Sequence, residues 1–73
     1  MILENDSEYR MTRVWIARFE DTIRRLEALR DSSAAQERAG IDTEISGYRY
    51  MISDLESQMA DYEVRTTALA KVA

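Results

Sequence analysis

Apolar positions recur along this chain in alternating steps of four and three. Tyr9, Thr12, Ile16, Phe19, Ile23 and Leu26 form one stripe. Ile41, Ile45, Tyr48, Ile52, Leu55, Met59, Tyr62 and Leu69 form a second, with Thr66 filling its one polar step. This spacing keeps side chains on one side of a helix, where they have to be buried against another helix. The pattern predicts an all-α fold. It is an antiparallel two-helix hairpin, coiled-coil-like, with residues 1–73 as a single helical-hairpin domain.

The first helix is expected over about residues 6–30. Asn5 is placed to cap it, with Glu8 reaching back three residues later. Asp6 and Glu8 suit the positive end of the helix dipole, and Arg24, Arg25 and Arg30 suit the last turns. Two starts compete for the second helix: Ser33 with Gln36, or Asp42 with Ile45 in the first turn. Matching the lengths, roughly 37 Å for residues 6–30 and roughly 43 Å for 41–69, favours the later start. That leaves 31–40 as a connector, with Asp31-Ser32-Ser33 and Gly40 as breakers. Residues 70–73 are expected to fray.

Aligning the stripes antiparallel sets Tyr9 level with Tyr62, Thr12 with Met59 and Ile16 with Leu55. Phe19 then meets Ile52, Ile23 meets Tyr48, and Leu26 meets Ile45. Thr66 and Leu69 would project far enough to cover Ile2 and Leu3. Arg13, Glu20 and Glu27 flank the first stripe on one side, and Glu8, Trp15, Thr22 and Leu29 on the other. Met11, Val14, Trp15, Tyr50, Met51 and Val64 are apolar but off the seam. One hairpin cannot bury both flanks, so a homo-oligomer is expected, a dimer first, closing as a four-helix bundle. The candidate interface residues are Met11, Val14, Trp15, Tyr50 and Met51. Tyr9, Tyr48 and Tyr62 are expected in the core with their hydroxyls at its edge. Gly47 costs the second helix about 1 kcal/mol relative to alanine and is expected on an exposed face.

A chain of 73 residues is short for a self-sufficient core, and with no cysteine it has no disulfide to add stability. The absence of histidine and cysteine leaves a transition metal without its usual ligands, so no cofactor or metal is expected. Zero prolines and two glycines favour long helices. No apolar run approaches a membrane span and Met1-Ile2-Leu3-Glu4 is not a secretory signal, which makes the cytoplasm the expected compartment. The formal net charge of -4 disfavours direct binding to nucleic acid. Arg10, Arg13, Arg18, Arg24 and Arg25 are interleaved with Glu20, Asp21 and Glu27, so ion pairing is their preferred use. No serine has a histidine base and Lys71 is the one lysine, so no enzyme is expected.

The run Glu4-Asn5-Asp6-Ser7-Glu8-Tyr9-Arg10-Met11-Thr12, with Phe19-Glu20 after it, resembles the opening of bacterial Cro/repressor-like (XRE) helix-turn-helix regulators. Ser53-Asp54-Leu55-Glu56 and Asp61-Tyr62-Glu63 resemble the close of the same N-terminal helical region, while residues 31–44 match poorly. In those regulators the DNA-binding domain follows, and residues 1–73 carry no second helix-turn-helix pattern. The resemblance implies the separate helical module of such a regulator, or a stand-alone relative, in a regulatory or antitoxin-like setting. The function expected is a non-enzymatic oligomerisation or protein-interaction module. The alternatives are a small mobile-element inhibitor of a host or defence protein, and part of a DNA-binding transcriptional regulator.

Overall fold

The computed structural model describes the backbone of residues 3–72 and the side chains through residue 68. Two helices, α1 (Asp6–Asp31) and α2 (Ala35–Val72), lie side by side as an antiparallel hairpin 58 Å long. Helix α1 begins as its sequence dictates. The Asn5 side chain accepts from the Glu8 amide at 2.9 Å, and the Glu8 carboxylate accepts from the Glu4 amide at 2.7 Å. Glu8 therefore reaches one residue past the cap, tying down the chain before the helix. That segment turns back, and Leu3 is buried.

The seam matches the antiparallel alignment of the stripes. Ile23, Ile45 and Ile52 are buried together, with Ile16, Phe19, Leu26, Ile41 and Tyr48 packed around them. Tyr9 stacks on Tyr62 with ring centroids 5.1 Å apart, and Phe19 meets Tyr48 at 5.5 Å. Thr12 is buried in the seam, where its hydroxyl donates to the Glu8 carbonyl at 2.8 Å rather than lacking a partner. Ile2 and the side chain of Leu69, expected to meet across the open end, lie outside the described residues; Thr66 is exposed.

The connector is much shorter than expected. Only Ser32, Ser33 and Ala34 separate the helices, and α2 starts at Ala35 instead of near Ile41. Both serine hydroxyls bond the Leu29 carbonyl, at 3.1 and 2.6 Å, satisfying the end of α1 without a left-handed residue. The Ala34 carbonyl then accepts from the amides of Glu37 and Arg38, which opens α2. Gly40 sits inside α2 and does not break it. Its cost of about 1 kcal/mol is outweighed by the good helix formers Ala35, Gln36, Glu37, Arg38 and Ala39 before it. Matching helix lengths was the misleading assumption. Helix α2 has 38 residues to the 26 of α1, and it overreaches its partner at both ends. Residues 34–40 are accordingly all exposed. At the other end α2 continues through Val72, past the expected limit near Leu69.

Candidate interaction surface

Residues spaced by seven form columns along each edge of the seam. On one flank, α1 carries Asp6, Arg13, Glu20 and Glu27, and α2 carries Asp42, Arg49, Glu56 and Glu63. These two charged columns hold most of the polar side-chain contacts between the helices. Arg30 binds Asp42 at 3.0 Å, and Arg49 lies 3.8 Å from Glu27. The Tyr9 hydroxyl donates to Glu63 at 2.5 Å, and the Tyr62 hydroxyl donates to Asp6.

The two tyrosines thus clasp opposite helices in a reciprocal pair. The hydrogen bond to Glu63 raises the Tyr9 phenol above its ordinary pKa, helped by desolvation and by the negative charge of that carboxylate. The hydrogen bond to Asp6 raises Tyr62 in the same way. Arg30 is raised by its hydrogen bond to Asp42. A depression of about 300 Å³ on this flank, between Arg13, Glu20 and Glu56, is rimmed by charge.

The opposite flank is built differently. Its columns are Glu8, Trp15, Thr22 and Leu29 on α1, and Glu44, Met51, Gln58 and Arg65 on α2. Among the described residues one polar side-chain contact crosses it, from Arg65 to the Leu3 carbonyl at 2.7 Å. Along the rest of the flank runs an apolar groove. A section of about 270 Å³ is lined by Trp15, Phe19, Tyr50, Met51, Asp54 and Leu55. The next, of about 190 Å³, shares Trp15 and Leu55 and adds Leu3, Glu8, Met11, Thr12 and Gln58. Trp15 packs against Phe19 at 5.9 Å, and the Arg18 guanidinium covers its ring at 5.3 Å. The Gln58 amide donates to Asp54 at 2.9 Å, while its carbonyl oxygen is buried without a partner.

Of the five candidate interface residues, four lie on this groove: Met11, Trp15, Tyr50 and Met51, exposed by 56, 45, 77 and 40%. Val14 does not join them. It is 43% exposed and lines neither section of the groove, because its place on the helix is turned away from the seam and its side chain is short. Leu3, Phe19, Leu55 and Gln58 also line the groove; Leu3, expected to be covered from the far end of α2, is buried and lines the groove with Met11, Thr12 and Trp15. Val64 is exposed on the far part of α2. Both glycines of α2 face open space, since a Cβ added at Gly40 or Gly47 would meet nothing within 4 Å. Within the hairpin Gly47 therefore serves no close approach of α1.

The arginines of α1 are mostly engaged locally. Arg24 and Arg25 lie 3.6 and 2.9 Å from Asp21, and Arg18 covers Trp15. Among the described residues no three acidic side chains gather into a metal-binding group. No described helix is long and apolar enough to cross a membrane. In comparisons with known proteins, no family model, curated protein or solved structure matches the chain.

Proposed function

We propose that this chain is a non-enzymatic interaction module whose apolar flank seats a second copy, giving a homodimeric four-helix bundle. The observation that carries this is the asymmetry of the seam. Polar partners within the chain bridge one flank, and on the other Met11, Trp15, Tyr50 and Met51 stay open to solvent.

Surface area supports the same occupant. The chain exposes 5646 Å². That is about 1,000 Å² more than the roughly 4,700 Å² expected of a compact monomer of 8.5 kDa. A standard interface removes about 800 Å² from each partner. Among the described residues four apolar side chains are buried, those of Leu3, Ile23, Ile45 and Ile52, and none fully, so a lone copy has little core to rely on. The resemblance of the chain's two ends to XRE-type regulators supports a regulatory or antitoxin-like setting for such a dimer.

Sedimentation equilibrium at micromolar concentration tests the proposal. The expected mass is twice that of one chain, and Trp15→Glu is expected to return it to one chain with helicity retained, raising the dissociation constant at least ~100-fold. A wild-type mass of one chain, or a Trp15→Glu protein that still dimerises as wild type does, would overturn it.

A further inference from the structure

We infer that the two copies stack groove to groove about a two-fold axis parallel to the helices, with Arg18 of each copy facing Asp54 of the other. This rests on the dimer proposed above and assigns its arrangement. Around the section between Trp15 and Met51 the rims of the groove carry opposite charge, while Glu8 lines the next section from the α1 side. Arg18 stands on the α1 side, over the Trp15 ring, and Asp54 lines the α2 side beside Tyr50 and Met51. Neither has an ion-pair partner within the chain among the described residues, whereas Arg25 is paired with Asp21 and Arg65 with Asp61.

Two symmetric stackings bring the grooves together. With the axis across the helices, α1 lies on α1 and α2 on α2, so like-charged rims meet. With the axis along the helices, α1 of each copy lies on α2 of the other, and every residue keeps its height. The seam aligns Phe19 with Ile52, so Arg18 stands at the height of Asp54. This second stacking therefore places these two charges, each without an ion-pair partner in its own chain among the described residues, opposite each other twice, around the apolar floor of Trp15 and Met51. Opposite charges at an apolar rim fix the register and exclude the alternative pairing. The same arrangement sets both turns, residues 32–34, at one end of the bundle.

Two measurements on the full chain test it. The first is a charge exchange read by the dimer dissociation constant. Arg18→Glu and Asp54→Arg are each expected to weaken the dimer by about tenfold or more, and the double exchange to recover most of the loss. Net charge alone predicts otherwise: Asp54→Arg makes this acidic chain less negative and would tighten the dimer. The second uses the absence of native cysteine. A spin label on Ser32→Cys is expected to lie within about 30 Å of its counterpart, given helix spacings of 8–10 Å and the label arms. In the crossed stacking the labels would stand near opposite ends of a body 58 Å long. A dimer with distant labels, or one whose double exchange is no tighter than either single one, overturns the arrangement and leaves the dimer standing. A wild-type chain that stays monomeric overturns both.

Discussion

The two flanks of the hairpin share one seam yet solve opposite problems. On the charged flank, Asp42, Arg49 and Glu63 of α2 each find a partner on α1, and Asp6 of α1 accepts from Tyr62. Exposed ion pairs of this kind contribute little stability, typically under ~1 kcal/mol each. Their consequence is that water and intrachain partners satisfy this side. On the other flank, Trp15 and Met51 occupy the corresponding columns, and the Leu3 segment covers one end of the groove. Apolar area left in water is a cost of roughly 25 cal/mol per Å², which a second molecule can remove; the charged flank carries less of it, because Arg13, Glu20 and Glu56 rim the Ile16, Ala17 and Met59 floor of its depression. Fold and assembly therefore separate: the seam makes the hairpin, and one flank carries the proposed interface.

The largest effect is expected from the seam beneath both flanks. Ile45→Ala leaves a cavity against Ile23 and Ile52 and should cost about 2–4 kcal/mol in urea unfolding. A smaller loss would mean the seam collapses around the gap, and the two flanks would no longer be held by a common core. Next comes the start of α2, which reaches past the end of α1 and lies away from the groove. Gly40→Ala has room for its methyl group and should raise stability by up to about 1 kcal/mol while leaving the dimer constant unchanged. A changed dimer constant would move the interface off the apolar flank.

The smallest effect is confined to the charged flank. Tyr9 and Tyr62 have raised pKa values in the folded chain. Their contribution is complete below the unfolded value of about 10 and is lost as pH rises through the raised folded values. Thermal stability should fall as pH rises above about 10, and less so in the Tyr9→Phe, Tyr62→Phe double variant. Equal alkaline losses in both proteins would show that the clasp does not hold the open end.

The hairpin was legible because its seam uses one period throughout, and Tyr9 against Tyr62 or Leu26 near Ile45 follows from spacing alone. The same spacing put Trp15 and Met51 beside the seam. The turn was not legible for two reasons. Ser32 and Ser33 close α1 with their hydroxyls, which composition does not distinguish from an ordinary loop, and Gly40 looks like a stop although its cost is small beside a long helix. Val14 was grouped with the interface on hydrophobicity; it stands on the outward column of its helix as Tyr50 does on α2, and its short side chain does not reach the groove. The tyrosine clasp needed the second column, Asp42 to Glu63, to be laid against the first. Leu3 was expected to be covered, but it lies outside any helical period, so spacing could not place it beside Met11, Thr12 and Trp15.

Trp15 is the only tryptophan, and it lies on the proposed interface while half-exposed in the single hairpin. Its emission, followed from nanomolar to hundred-micromolar chain alongside the sedimentation mass, tests the central claim most directly. The account predicts a blue shift and growing protection from a soluble quencher over the same range in which the mass doubles. A mass that doubles while Trp15 stays as exposed as in the lone hairpin would contradict it.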